Sequence, residues 1–347
     1  MGKKICIISE DLTGNLDEGV KNATFSLIRA LKKHSNEVIA ISTPGSLPHP
    51  EIEILRINLN KLFLNKALFR LVKTFNPLII YYIPCYSATL ASLIRTKVLQ
   101  IFIKKKIAVI ALQPKSYSPF VIHIIKFLRP GLLFVQSRKS LDFFKSLGFN
   151  VRFTPLGVDC DKFKPVRDSI KKSIRDIYGI SSNDYVVSHV GHLKKNRHVE
   201  GLKLIQRLDG IQLVIVFSSS TQTEDGMKKN LESCEIKIID GFIPDIQNIY
   251  QLSDCYVFPV KDERAAIEIP LSVLEAMACN LPVITTRFGG LPDLFEEGDG
   301  LSYFENMSEI PEKISGIKNK KISVRTRKMV EKFSWENVAK QIIECSL

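Results

Sequence analysis

One acidic residue inside an apolar helix is the clearest chemical signal in this chain. Residues 252–300 read LSDCYVFPVKDERAAIEIPLSVLEAMACNLPVITTRFGGLPDLFEEGDG. A short apolar strand, 255–258, runs into a charged loop. The pattern predicts a helix over 270–279, with Pro270 near its first turn, where a missing N–H costs nothing. Glu275 lies within it, flanked by Leu274, Ala276 and Met277. A carboxylate in such surroundings is costly unless it is paired or hydrogen-bonded. A second strand, 282–286, leads to Gly289–Gly290, a turn where the backbone can approach a ligand closely. Strand–loop–helix units place ligands beyond the carboxyl ends of their strands, and helix N-termini accept phosphate. Upstream, residues 191–198 read GHLKKNRH. Lys194, Lys195, Arg197 and His192 make this a cationic loop, which attracts anions. Together these segments read as a nucleotide or sugar-nucleotide site.

The elements that must position this site alternate strand and helix. In the first half KICIIS, EVIAIST, IEILRIN, LIIYYIP, KIAVIALQ and LLFVQS read as strands, with helices over 24–33, 62–75, from Ser87, and near 119–127. The second half repeats the pattern with YVVSHVGHL, QLVIVFS, EIKIIDGF, DCYVFPV and PVITT. Apolar strands alternating with helices imply parallel sheets covered on both faces. A chain of 347 residues is long enough for two such cores. The junction is expected in TPLGVDCDKFKPV, residues 154–166, with a turn at Gly157.

Residues 240–300 resemble the donor site of retaining family 4 glycosyltransferases (glycosyl transferases group 1). The resemblance rests on CYVFPV, on LSVLEAMA and on NLPVITTRFGGLPDL. The interdomain segment with Gly157, Val158, Asp159, Phe163 and Pro165, and the tail FSWENVAKQII, are similar to the family as well. The resemblance implies the GT-B fold: an α/β chain of two Rossmann-like domains facing each other across a cleft, with a C-terminal helix crossing back. It divides the chain into an acceptor-binding domain over 1–165, a nucleotide-sugar domain over 166–330 and the final helix over 331–347. It implies a hexosyltransferase with Glu275 on the donor ribose hydroxyls. Arg197 falls on the position of the family's phosphate-binding Lys, and His192 replaces its Arg, with Lys194 or Lys195 to compensate. The family's other Glu, eight residues before Glu275, is replaced by Ile267. Either a one-residue shift lets Glu268 contact the sugar, as a catalytic residue with Arg197, or the sugar is held differently. Phe242 and Ile243 are expected around the base, and Gly289 and Gly290 close to the ligand. Gly19 and Lys21 are expected in the loop of the first domain that faces donor and acceptor. Gln113 stands where many relatives have a His.

No metal-ligand cluster or Asp-x-Asp pair appears, and the resemblance implies no cofactor or metal beyond the nucleotide-sugar co-substrate. Retention is what the family implies; spacing does not set stereochemistry. A chain that keeps the fold and binds a nucleotide sugar without turnover, as a scaffold, is the alternative, motivated by Ile267, His192 and Gln113.

Charge adds a second theme. Residues 1–165 hold 25 Lys and Arg against 10 Asp and Glu, a net +15, while residues 166–347 are −2, together the chain's +13. Between Glu53 and Asp142 there is no acidic residue and there are fifteen basic ones. Such a field attracts phosphate-bearing partners: an anionic membrane surface, a lipid-linked or polysaccharide acceptor, or nucleic acid. With no RNA-binding aromatic motif and no helix-turn-helix signature, nucleic acid is not expected. Thr74 to Ile94 lacks charges but carries Asn76, Pro77 and Pro84, and reads as a strand and a helix rather than a membrane span. Residues 120–135 are expected to include an interfacial amphipathic helix. The seven scattered cysteines read as free thiols of a reducing compartment, and the N-terminus runs straight into a strand without the apolar core of a signal peptide. The expected location is cytoplasmic, peripheral on the inner face of the membrane, in cell-envelope polysaccharide synthesis.

Overall fold

A computed structural model describes residues 4–10, 12, 18–35, 37–45, 52–217, 226–234, 236–319 and 323–347. They form two compact units. Unit 1 comprises Met1–Gly157, Ile267–Ile269 and Trp335–Leu347, and unit 2 comprises Val158–Ala266 and Pro270–Ser334.

Unit 1 runs β1 (Lys4–Ile8), α1 (Gly19–His34), β2 (Glu37–Ser42), β3 (Ile54–Arg56), α2 (Lys66–Phe75), β4 (Ile79–Tyr82), α3 (Leu90–Ile103), β5 (Lys106–Ile110), α4 (Pro119–Ile125), β6 (Leu132–Val135), α5 (Arg138–Ser146) and β7 (Val151–Phe153). Its seven strands pair in the order β3-β2-β1-β4-β5-β6-β7, every pair parallel. The order reverses between β1 and β4. Crossovers toward β7 are expected to put α2 to α5 on one face, because parallel connections are right-handed. Their side chains Leu68, Val72, Leu93, Leu99, Ile103, Ile125 and Phe144 form one core with Ile8, Ile41, Tyr82, Val109 and Val135 of the strands.

Local sequence sets the helix ends. The Asn65 side chain accepts from the N–H groups of Ala67 and Leu68, at 2.7 and 3.1 Å, so α2 begins at Lys66, four residues later than its apolar run begins. Thr89 does the same for α3 through Ser92 N–H. The pattern leaves out α5 and β7, both short; α5 is marked only by its Ser137 cap. Glu10, at the end of β1, accepts from the Tyr82 hydroxyl at 2.5 Å and from Cys85 N–H at 3.1 Å, and pairs with Arg95. This polar cluster locks β1, β4 and α3 together at the reversal point.

Unit 2 continues with α6 (Asp168–Ile177), β8 (Tyr185–Gly191), β9 (Ile211–Phe217), α7 (Met227–Glu232), β10 (Lys237–Asp240), α8 (Gln247–Leu252), β11 (Cys255–Phe258), α9 (Leu271–Ala278), β12 (Val283–Thr285), α10 (Leu291–Leu294), β13 (Leu301–Tyr303), α11 (Ile310–Asn319) and α12 (Thr326–Val330). The helix expected after β8 is a pair of 3₁₀ segments, Lys195–Arg197 and Val199–Arg207. The six strands pair in parallel in the order β10-β9-β8-β11-β12-β13, reversing between β8 and β11. Arg175 and Lys171 of α6 pair with Asp254 at the amino end of β11, at 2.6 and 2.5 Å, a tie at the edge of the sheet away from the ligand loops.

The last helix, α13 (Trp335–Ser346), is part of unit 1, where it packs on α1. Gly157 makes this possible. A Cβ there would lie 2.5 Å from Trp335 Cδ2 and 2.7 Å from Trp335 Cα. Among the described residues, no helix is long and apolar enough to cross a membrane.

Gly157→Ala is therefore expected to push α13 off its seat and destabilise unit 1 by about 1–3 kcal/mol. Urea unfolding followed by Trp335 fluorescence, from the chain's one tryptophan, checks this; an unchanged midpoint refutes it.

Candidate functional site

Because all six strands of unit 2 are parallel, their carboxyl ends and the loops that follow share one edge. The loop with His192, Lys194, Lys195 and Arg197 follows β8, and Phe242 and Ile243 follow β10. Helix α9 with Glu275 follows β11, and Gly289 and Gly290 follow β12. Nine of the twelve residues singled out from sequence therefore lie on one edge, the edge along which ligands bind in such sheets, and those after β8 and β11 flank its reversal point.

Glu275 is 8% exposed, surrounded by the apolar side chains of α9. Its Oε2 accepts from the Tyr250 hydroxyl at 2.6 Å. Tyr250 is fully buried, with its ring edge-on to Phe163 at 5.7 Å and tilted against Tyr256 at the same distance. Burial raises the Glu275 carboxyl to about 7; the Tyr250 hydrogen bond and the charge of Lys162 pull the other way without cancelling it. The Tyr250 phenol is itself pushed well up by burial and by the Glu275 charge.

Arg197 supplies the opposite charge. One guanidinium nitrogen donates to Ala265 O, and Nε is sealed from solvent with no partner. Among the described residues no carboxylate pairs with it, and burial draws its pKa down to about 10. The side chain as a whole is half-buried, and a cation partly withdrawn from water without a carboxylate partner is destabilising. Gly191 makes room for it: a Cβ there would sit 3.3 Å from Arg197 Nη1 and 2.9 Å from His189 Nε2. His189 is buried; its Nδ1 lies 3.0 Å from Val257 O, which fixes the proton on Nδ1 and leaves Nε2 as an unpartnered acceptor. Burial, with the nearby charges of Arg197 and His192, lowers His189 to about 4 against the opposing pull of its backbone hydrogen bond. Tyr256 feels the charges of both Glu275 and Arg197, so the two ends of the site are electrostatically connected.

The remaining residues are less enclosed. Lys195 is exposed, and Lys194 and His192 are half-buried. Phe242 is exposed, while Ile243 packs on a small core with Val190 and Val216. Gly241 has φ +114° and Gly289 φ +53°, the left-handed region that favours glycine. Gly290 caps α10.

Three candidates lie in unit 1. Gly19 opens α1, and Lys21, with its side chain 11% exposed, stands 3.8 Å from Glu18. Asp17, beside them in sequence, lies outside the described residues. Glu268 is 3% exposed, and its carboxylate accepts from Gln136 N–H at 3.2 Å, from Ser137 Oγ at 2.7 Å and from Ser140 Oγ. It sits at the N-terminus of α5, where a carboxylate is favourable. Sequence reasoning missed Tyr250 and His189. Tyr250 is 25 residues from the group it serves, and His189 reads as one more strand residue; only its place two before Gly191 hints at more.

Residues 170–334 match the family model for glycosyl transferases group 1. Over 142 residues the chain is 27% identical to N-acetyl-alpha-D-glucosaminyl L-malate synthase of Bacillus anthracis, covering 40% of this chain and 35% of that protein. The matched stretch spans less than half the length of such curated relatives. Among solved structures, Anabaena Alr3699/HepE in complex with UDP aligns with a TM-score of 0.78 at 17% identity over 98% of both chains. The same protein has also been solved with UDP-glucose, at 18% identity, 98% of both chains and a TM-score of 0.76. Sucrose-phosphate synthase from Thermosynechococcus elongatus aligns at 0.78 with 18% identity, over 99% of this chain and 98% of that one. The match to the glycosyl transferases group 1 model falls within unit 2. The chain as a whole has the GT-B fold of two Rossmann-like units.

The raised carboxyl of Glu275 has a consequence for stability. The folded chain holds this proton up to about pH 7, whereas the unfolded chain releases it near 4.5. Stability contributed by the neutral form is full below the lower value and is lost as pH rises toward the upper one, roughly 3 kcal/mol in all. Glu275→Gln keeps a neutral partner for Tyr250. It is expected to match the wild type at pH 4 and to exceed it by about 1–3 kcal/mol at pH 8. Thermal unfolding across this range checks the sign; a variant less stable at pH 8 refutes it.

Proposed function

We propose that this chain is a hexosyltransferase that takes a sugar from a UDP- or GDP-sugar and transfers it, with retention, to a lipid-linked or surface-polysaccharide acceptor. The observation that carries the reading is the presence, on one edge of one sheet, of a buried carboxyl, Glu275, and a half-buried guanidinium, Arg197, whose Nε has no partner and which no carboxylate among the described residues pairs with. A nucleoside diphosphate is complementary to both: vicinal ribose hydroxyls for the carboxylate, phosphates for the guanidinium. The complexes of Alr3699/HepE with UDP and UDP-glucose favour this class of donor.

In this account the bond between the anomeric carbon and the phosphate oxygen breaks, and its electron pair leaves with the diphosphate. Arg197, aided by Lys194, Lys195 and His192, neutralises that growing charge. Glu275 holds the ribose, and Gly289 and Gly290 let the backbone close on the donor. Phe242 and Ile243 flank the base. The acceptor hydroxyl then adds to the anomeric carbon on the face that the diphosphate leaves and passes its proton to the departing phosphate oxygen. No metal ion has a role in this scheme. A sugar contact by Glu268 would require its carboxylate to release Ser137 and Ser140. That engagement favours a second reading, in which the chain binds a nucleotide sugar without transferring it.

A panel of UDP- and GDP-sugars, screened by thermal shift and by sugar release with and without lipid-linked acceptors, separates the two. Glu275→Ala is expected to weaken donor binding about 10²-fold or more, since two hydrogen bonds to a charged group contribute about 1.5–3 kcal/mol each. Arg197→Ala is expected to lower kcat by about 10²-fold with little change in fold stability. Donor binding with no transfer to any acceptor selects the second reading, and no binding of any nucleotide sugar refutes both.

A further inference from the structure

The acid-free interval 54–141 does more than carry charge. Of the twelve large apolar side chains left exposed among the described residues, eight fall inside it. The helices that it builds, α2, α3 and α4, share one face of unit 1. Helix α3 is apolar on both of its sides. Leu93, Leu99 and Ile103 point into the core, while Ile94, Val98, Ile101 and Phe102 line the side turned away from it. A helix that is apolar all round is normally enclosed, yet Ile101 is 58% exposed and Phe102 47%.

The neighbours extend this surface. Phe102 stacks on Phe69 of α2 at 5.1 Å. Arg95 of α3 holds the loop bearing Leu62 and Leu64 through Lys61 O at 2.9 Å, and both leucines are exposed. Beside α3 packs α4, with Phe120 74% exposed at its start and Phe127 69% exposed in the turn just beyond its end. The exposed cations Lys66, Arg70, Lys97, Lys104, Lys126 and Arg129 stand among them.

We propose that this face docks unit 1 on an anionic lipid bilayer, with Phe102, Phe120 and Phe127 entering the acyl boundary and the lysines and arginines resting on the headgroup phosphates. The chemistry selects this occupant. A bilayer satisfies both an apolar wedge and a one-signed rim. Nucleic acid would take the cations but leave Leu62, Leu64 and Ile101 in water. A second copy of the chain would bring two acid-free surfaces together against their own repulsion. The inference is independent of the donor site in unit 2, and it reduces the expected interfacial helix of residues 120–135 to the seven residues of α4 and the turn after it.

The test is sedimentation of the full chain with vesicles of phosphatidylcholine alone or mixed with an equal part of phosphatidylglycerol. Neither vesicle carries a donor or acceptor, so the result stands apart from transferase activity. The wild type is expected to pellet with the mixed vesicles, less so as salt is raised. Phe120→Ser combined with Phe127→Ser changes only exposed side chains and is expected to lower partitioning at least about tenfold. Lys126→Glu combined with Arg129→Glu is expected to lower it about fivefold or more per residue. Three results would overturn the proposal: no binding to mixed vesicles, equal binding by the Phe variant, or a wild-type dimer in light scattering that the Phe variant converts to monomer.

Discussion

The hydrogen bond from Tyr250 to Glu275 is the interaction on which the rest of unit 2 depends. A carboxylate inside an apolar helix is tolerated only because one buried phenol meets it, and that phenol is held by Phe163 and Tyr256. Even so the carboxyl remains near the point where it would rather keep its proton. An ordinary core would have Leu or Met in its place and be more stable. At the other end of the site Arg197 is half-buried, its Nε sealed from solvent, and no carboxylate among the described residues pairs with it. A carboxyl pushed toward its neutral form and a guanidinium with an unpartnered nitrogen on one sheet edge both cost stability, and a ligand with hydroxyls and phosphates would be complementary to the two.

The fold supplies the geometry for this at little cost. Parallel strands bring every ligand loop to one edge, and the reversal between β8 and β11 opens a gap there. Across that gap His189 reaches Val257, so its ring is both a brace between two strands and a buried acceptor beside Arg197. Unit 1 has the same reversal between β1 and β4, but its charged groups there, Glu10 and Arg95, satisfy each other. The contrast is between a satisfied ion pair in unit 1 and a guanidinium with an unpartnered nitrogen in unit 2.

Much of this was legible in the sequence, and for physical reasons. Apolar strands alternating with helices fix two parallel sheets, and Glu275 stands out because carboxylates avoid such positions. Helix ends were read less well: α1 begins at Gly19, five residues before its apolar run shows, and the segment after β8 coils as 3₁₀ turns. Pairings over long separations were invisible. Nothing in the sequence ties Tyr250 to Glu275, or Glu268 to Ser137 and Ser140, because those contacts are made by the fold. The acid-free interval showed charge, but only the structure shows that its apolar residues stay outside.

The central claim is that Glu275 must ionise to take a nucleotide sugar. The most direct test is calorimetric titration of the donor identified by screening, at pH 6, in two buffers with different ionisation enthalpies. The account predicts release of a proton on binding by the wild type and none by Glu275→Gln, with wild-type affinity rising as pH passes 7. Binding that releases no proton, or that is unchanged in Glu275→Gln, would contradict it.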